Sequence, residues 1–78
     1  MKRPIFAIAK EIEQDWGPKV SVYARPYLNA MRSLSSPADS YGYDSGKSVC
    51  LYFLANAGTW RGETARRVKK ELKELCGD

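Results

Sequence analysis

The most regular hydrophobic pattern lies near the start of the chain and predicts an amphipathic helix. Apolar residues recur there at intervals of three and four, which places them on one helical face: Ile5, Ile8, Ala9, Ile12 and Trp16. Pro4 suits the first helical position, where a missing N–H removes no hydrogen bond. We expect Gly17 and Pro18 to end this helix, the glycine as a left-handed cap and the proline as a stop.

A second, shorter helix is predicted to begin at Pro26. We expect it to end at Ser35–Pro37, because the residue before a proline avoids helical angles. The alternation in Val20–Tyr23 is too brief to indicate a strand, whereas residues 36–39 match a capping box and allow one further helical turn. The side chains expected on the buried face of the second helix are Tyr27, Ala30, Met31 and Leu34.

The most apolar helix is expected in the second half of the chain. Residues 40–48 are polar and rich in glycine, which predicts a loop, and Asp44 or Ser45 can cap the helix that follows. That helix is predicted to be buried on most faces, with Gly58 as its C-cap. Its apolar positions are Val49, Cys50, Leu51, Tyr52, Phe53, Leu54 and Ala57.

A last helix is predicted after the turn Thr59–Gly62. Its buried seam consists of Ala65, Val68, Leu72 and Leu75. Four helical segments without a convincing strand pair predict an all-α fold. We expect a single domain over residues 1–78, a compact small bundle of three main helices plus one or two short helical segments.

Composition argues against catalysis. The chain has no His, the commonest general base and metal ligand, and two Cys, which are too few for a four-ligand zinc site without carboxylates. The carboxylate pairs Glu11/Asp15 and Glu71/Glu74 lie beside lysine or on solvated faces, and so small a core leaves little room for a pocket. We therefore expect no enzyme, no catalytic residue, no cofactor and no metal.

The apolar stretches are too short for targeting or membrane insertion. Ile5–Ala9 is shorter than the apolar region of a signal peptide, and Val49–Ala57 is far below the ~20 residues of a membrane span. We expect a cytoplasmic protein without a membrane partner. Cys50 and Cys76 are accordingly interpreted as reduced thiols that pack as small apolar side chains.

The tripeptide Gly46-Lys47-Ser48 invites comparison with a phosphate-binding loop. That motif requires a glycine five residues before Gly46, where Tyr41 stands, and a preceding strand of a parallel sheet. We therefore interpret the tripeptide as a loop and helix start, which binds an anion only weakly.

The last helix is basic. Between Arg61 and Lys73, six basic residues stand against two acidic ones, whereas the whole chain carries +4. The segment Val49–Leu75 resembles a helix-turn-helix unit, with two departures: Leu54 stands where a small residue is usual, and the pair Ala65 and Val68 falls one residue late.

In a helix-turn-helix, the last helix would divide its polar residues between bases and phosphates. Arg61, Glu63, Thr64 and Arg67 would face the groove, and Arg66, Lys69, Lys70 and Lys73 would contact phosphates. The alternative is an ordinary helical pair whose solvated outer face is basic.

Aromatic residues fall into two groups. Trp16, Tyr52 and Phe53 have core spacing, whereas Tyr23, Tyr41, Tyr43 and Trp60 lie near predicted loops, where some are expected to be exposed. Exposed aromatic side chains near Lys47 and Arg61 can stack on unpaired bases or anchor a protein interface. The candidate partner-binding residues are Tyr41, Tyr43, Lys47 and Trp60.

Three blocks of the sequence resemble a known group of proteins: YARPYLNAM (23–31), YGYDSGKSV (41–49) and YFLANAGTWRGETARRVKKEL (52–72). The group consists of small proteins encoded in bacteriophage and prophage genomes, with no assigned activity. The resemblance extends from about Ile5 to Leu75, with SGKS and TWRGE as its most distinctive parts. It implies a bacterial cytoplasm and an accessory role on host or phage machinery, and it assigns no site residue.

Two functional hypotheses follow from the sequence. The first is binding of DNA or RNA through the basic face of the last helix. The second is a protein-binding module that engages or inhibits a host or phage protein through residues 41–47 and Trp60. A homodimer is compatible with either, since so small a helical domain gains core by pairing.

Overall fold

Helices make up most of residues 3–77, the part of the chain that the computed structural model describes. A 3₁₀ turn, Gly17–Lys19, follows the first helix, and a π-helical turn, Lys73–Gly77, continues the last one. The α-helices, in chain order, are α1 (Ile5–Asp15), α2 (Arg25–Met31), α3 (Gly46–Ala55) and α4 (Glu63–Leu72).

A short hairpin between α2 and α3 corrects the all-α prediction. Strand β1 (Ser40–Tyr41) pairs antiparallel with β2 (Asp44–Ser45), and Gly42 at the tip has a φ of +63°, which glycine adopts without strain. Both strands are exposed, so no alternation of apolar and polar residues marks them in the sequence. The fold is therefore helical with a small two-stranded sheet, rather than an all-α three-helix bundle.

Helix α1 confirms its sequence-based prediction. Its apolar stripe is buried, and Gly17 directly after it has a φ of +50°, as expected of a left-handed cap. Pro4 lies one residue before the helix rather than at its first position. The N–H groups of Ile5 and Phe6 donate to the carbonyl oxygens of Ser35 and Leu34, at 3.0 and 2.9 Å. The chain after α2 thereby satisfies N–H groups that a helix start leaves unpaired.

Helix α2 is shorter than predicted. It ends at Met31, yet Leu34 beyond it is still buried, and Leu28 is fully buried where the sequence favoured Tyr27, which is half-buried. A turn over residues 32–33 ends the helix before the chain reaches the predicted stop at Ser35–Pro37.

Residues 36–39 form a tight turn instead of the expected helical one, and this turn packs on the start of α3. The Asp39 carboxylate accepts from the N–H of Ser36 at 3.2 Å, while the Asp39 carbonyl accepts from the Gly46 N–H at 2.6 Å. A Cβ on Gly46 would lie 2.5 Å from the Ser36 carbonyl oxygen, so a glycine is needed for this close approach. Ser45 caps α3 as predicted, accepting from the Ser48 N–H at 3.1 Å.

Helix α3 is less buried than its sequence suggested. Val49, Cys50 and Phe53 are buried, whereas Leu51 and Tyr52 are 39% and 47% exposed, because α3 packs on α2 and on the Lys73–Gly77 turn and leaves its remaining face to solvent. Its C-cap is Asn56, and Gly58 has no positive φ, so the prediction of Gly58 as the C-cap is wrong.

Helix α4 packs on α1, and its apolar seam is buried as predicted. Ala65, Val68 and Leu72 are buried, and Leu75 in the following turn is half-buried against the same core. This orientation of α4 determines which of its charged residues meet α1 and which meet solvent.

Candidate nucleic-acid interface

Helix α4 divides its charged residues between two flanks, and one flank forms ion pairs with α1. Arg3, just before α1, donates through Nε and Nη2 to the two carboxylate oxygens of Glu71, at 2.9 and 2.6 Å. One carboxylate oxygen of Glu11, on α1, forms an ion pair with Arg67. The other oxygen of Glu11 lies 2.8 Å from Nη2 of Arg3. The Arg67 charge is therefore neutralised within the fold.

Thr64 lies on this same paired flank. It is half-buried and lines a shallow depression together with Glu11, Gln14 and Asp15. Carboxylates beside Thr64 repel a nucleic-acid phosphate, which places Thr64 and Arg67 away from the surface that an anion would approach. The structure thus separates the residues that a helix-turn-helix would bring to the groove.

The other flank of α4 carries basic residues that have no acidic partner. Within residues 3–77, no carboxylate lies within ion-pair distance of any of its five cations. Lys69, Lys70 and Lys73 follow Arg66 by three, four and seven positions, so these four residues share one helical face of α4 and its following turn. Arg61 lies just before α4. We call this set the basic flank: Arg61, Arg66, Lys69, Lys70 and Lys73.

Lys69 is the most enclosed member of the basic flank. Its ammonium group donates to the Trp60 carbonyl oxygen at 2.7 Å and lies 5.9 Å from the centre of the Trp60 ring. Partial burial lowers the pKa of Lys69, and the positive charges of Lys73 and Arg61 lower that pKa further. These charges therefore act on one another, and an anion placed among them would relieve their repulsion.

A shallow depression lies at the N-terminal end of the basic flank. Arg61, Arg66 and Lys69 line it, and its apolar part is formed by Trp60 and Ala65. Its charged side chains are all cations, so it suits an anionic group such as a phosphate rather than a neutral ligand.

Trp60 is 3% exposed, which corrects its interpretation as an exposed anchor for a partner. Its indole N–H donates to the Asp15 carboxylate at 2.8 Å, and its ring packs against Trp16. The sequence contained a signal for this burial, because Ala57 follows Phe53 by four positions and Trp60 follows Ala57 by three. The turn residues Gly58 and Thr59 obscured that spacing.

The remaining candidate partner-binding residues lie at the other end of α3. Tyr43 at the hairpin tip is fully exposed, Tyr41 is 48% exposed, and Lys47 is exposed in the first turn of α3. Trp60 follows the last turn of that helix. The structure therefore does not unite these four residues in one surface.

The connection between α3 and α4 differs from a helix-turn-helix. Residues 56–62 separate the two helices, compared with about three or four residues in the motif. Helix α4 packs on α1, whereas α3 packs on α2 and on the turn that continues α4. The geometry favours the alternative interpretation, in which ordinary packed helices expose a basic flank.

The described residues offer no metal centre or membrane helix. Within residues 3–77, no three Cys, Asp or Glu side chains are grouped so that they could hold a metal ion. In the same part of the chain, no helix has the length and apolar character needed to cross a bilayer. Comparison of the chain with protein-family models, curated proteins and solved structures gave no match.

Proposed function

We propose that this protein binds nucleic acid through the basic flank of α4, by contact with backbone phosphates. The observation that carries the proposal is the separation of charge on α4. Arg67 and Glu71 are paired with Glu11 and Arg3, while the five cations of the basic flank have no acidic partner within residues 3–77. A continuous row of unpaired cations is the electrostatic footprint of a polyanion-binding surface.

The chemistry of the flank favours contact with phosphates over contact with bases. Arg and Lys neutralise phosphates and release counterions irrespective of sequence. Trp60, the aromatic residue nearest these cations, is buried, and the strongly exposed aromatic side chains of the described chain lie outside residues 58–73. Stacking on unpaired bases therefore makes no large contribution in this proposal, and duplex and single strand bind mainly by charge.

An amide-proton NMR titration tests the proposal directly. The protein is titrated with a duplex of about 16 base pairs of random sequence and with a mixed single strand, each at low and at high salt. We expect shifts confined to residues 58–73 that weaken as salt increases. An absence of shifts at low salt, or shifts centred on the hairpin, would contradict the proposal.

A matched pair of double variants separates local contact from overall charge. Arg66→Gln/Lys70→Gln removes two exposed cations from the basic flank, and Lys10→Gln/Arg32→Gln removes two exposed cations from α1 and the turn after α2. The first pair should reduce the salt dependence of log K by about 2, since each phosphate contact contributes about 0.9. The second pair should leave the salt dependence of log K largely unchanged, because removing Lys10 and Arg32 lowers the net charge without removing a phosphate contact.

A second candidate function is protein binding through the hairpin. The observation in its favour is Tyr43, which projects fully exposed from a tip whose backbone is held by paired strands. Tyr is enriched among residues that dominate interface energetics. Tyr43→Ala should then abolish capture of a host or phage protein at high salt, whereas Tyr23→Ala, at a site that is 74% exposed, should not. Equal capture by both variants would reject this candidate.

The Tyr43→Ala variant also tests whether the hairpin mediates self-association. Sedimentation of the wild-type protein over a range of concentrations measures whether a homodimer forms. If it does, the sedimentation of Tyr43→Ala shows whether the hairpin lies at the contact.

A further inference from the structure

The two cysteines of the chain lie far apart in sequence and meet in the core. Cys50 on α3 is 0% exposed, and Cys76 in the turn Lys73–Gly77 is 3% exposed. Helix α3 packs directly on that turn. Both side chains belong to the same buried cluster, each thiol shifts the pKa of the other, and both are free. Core packing alone would be served by any small apolar pair, whereas two neighbouring thiols can also be joined covalently.

We propose that Cys50 and Cys76 form a reversible intramolecular disulfide by exchange with a low-molecular-weight disulfide such as oxidised glutathione. The Cys76 thiolate attacks one glutathione sulfur, forming a mixed disulfide and releasing one glutathione thiolate. The Cys50 sulfur then attacks Cys76, which forms the protein disulfide and releases the second glutathione. The protein thiols lose two electrons and two protons, and the glutathione disulfide gains them.

The order of attack follows from the surroundings of each thiol. The neighbouring Cys50 thiol and the positive charge of Lys47 lower the pKa of Cys76, while the neighbouring Cys76 thiol and burial raise the pKa of Cys50. Within this turn, Lys73 and Glu74 are exposed, whereas Leu75 and Cys76 pack on the core. Cys76 is therefore the thiol that meets an oxidant first.

Mass spectrometry after incubation with oxidised glutathione tests this order. The wild-type protein should lose two hydrogens, retain no glutathione and yield a tryptic peptide pair linked through Cys50 and Cys76. Cys50→Ser should retain one glutathione on Cys76, whereas Cys76→Ser should leave Cys50 unmodified over the same time. Disulfide-linked dimers alone, or wild type that retains two glutathiones, would overturn the proposal.

A second measurement uses the wild-type protein alone, so it does not depend on how the variants fold. The ratio of disulfide to dithiol protein is measured in glutathione redox buffers, under native conditions and in concentrated urea. If the fold holds the thiols together, the native ratio should exceed the ratio in urea by about tenfold or more. A native ratio equal to or below the ratio in urea would show that the fold opposes the bond.

Discussion

The indole of Trp60 lies nearly parallel to that of Trp16, with ring centroids 5.7 Å apart and an angle of 10° between the planes. Phe53 meets both rings edge-on, 6.1 Å from Trp16 and 6.4 Å from Trp60. Aromatic pairs of these geometries contribute about 0.5–1.5 kcal/mol beyond the area they bury. The cluster joins the end of α1, the last turn of α3 and the connection before α4, so it sets where the basic flank begins.

Trp60→Ala should therefore lower the free energy of unfolding by about 3–5 kcal/mol, the range for truncating a buried aromatic side chain. Urea denaturation followed by circular dichroism measures the change. Tyr43→Ala removes an aromatic ring that is fully exposed and should change stability by no more than about 0.5 kcal/mol. Equal effects of the two substitutions would contradict the burial of Trp60.

Gly46→Ala should destabilise the fold by about 1–3 kcal/mol, because the added Cβ would lie 2.5 Å from the Ser36 carbonyl oxygen and would force the 36–39 turn away from α3. The matched control is Gly58→Ala. A Cβ added at Gly58 would have no neighbouring atom within 4 Å, and Gly58 has no positive φ, so its replacement should stay within about 0.5 kcal/mol. Thermal unfolding of the two variants side by side measures the difference in stability. A Gly46→Ala protein as stable as Gly58→Ala would contradict the close approach of Gly46 to the Ser36 carbonyl oxygen.

Acidification should weaken the contact between α1 and α4 through Glu11. The hydrogen bond from Arg67, assisted by Arg3, lowers the pKa of Glu11 below its usual range in the folded state. The unfolded chain therefore takes up a proton first as pH falls, so the stabilisation is present above the unfolded pKa and is lost as pH decreases through the folded one. The contribution at neutral pH should be about 1 kcal/mol, since the pair is partly exposed.

The measurement compares wild type with Glu11→Gln between neutral pH and about pH 3. The stability difference should be largest at neutral pH and should shrink on acidification, since both proteins then carry an uncharged side chain at position 11. Glu63→Gln is the control, because Glu63 is exposed and makes no ion pair within residues 3–77. A difference for Glu11→Gln that does not change with pH would argue against the ion pairs.

The two neighbouring arginines of α4 should differ in nucleic-acid binding. Arg66 belongs to the basic flank, whereas Arg67 is paired with Glu11 on the other side of the helix. Arg66→Gln should weaken binding to the duplex and reduce the salt slope by about 0.9, while Arg67→Gln should change that slope much less. Fluorescence anisotropy with a labelled duplex at several salt concentrations measures both. The reverse order would instead support the groove-facing arrangement of a helix-turn-helix.

Local patterns in the sequence predicted the helices well. The stripe from Ile5 to Trp16 and the seam from Ala65 to Leu72 follow helical spacing, and Gly17 and Ser45 act at helix ends as expected. These features depend on interactions within a few residues, so they can be recognised without knowledge of the fold. The hairpin escaped prediction because its strands are two residues long and wholly exposed.

The site depended on contacts that no local pattern contains. The sequence presents six cations between Arg61 and Lys73 as one basic segment. In the structure, Arg67 meets Glu11, 56 positions away, and Glu71 meets Arg3, 68 positions away, which leaves five of those cations on one flank. The same packing buries Trp60 beneath them and brings Cys50 to Cys76.

The sequence by itself thus determined the helices, the apolar faces of α1 and α4 and a net positive charge, because these depend on residue type and short-range spacing. Tertiary structure alone decided which cations remain unpaired, that Trp60 is buried and that the two thiols meet. The physical reason is that ion pairs, ring stacking and thiol contacts act over a few ångströms, and only the packing of α1, α3 and α4 brings residues so distant in the chain within that range.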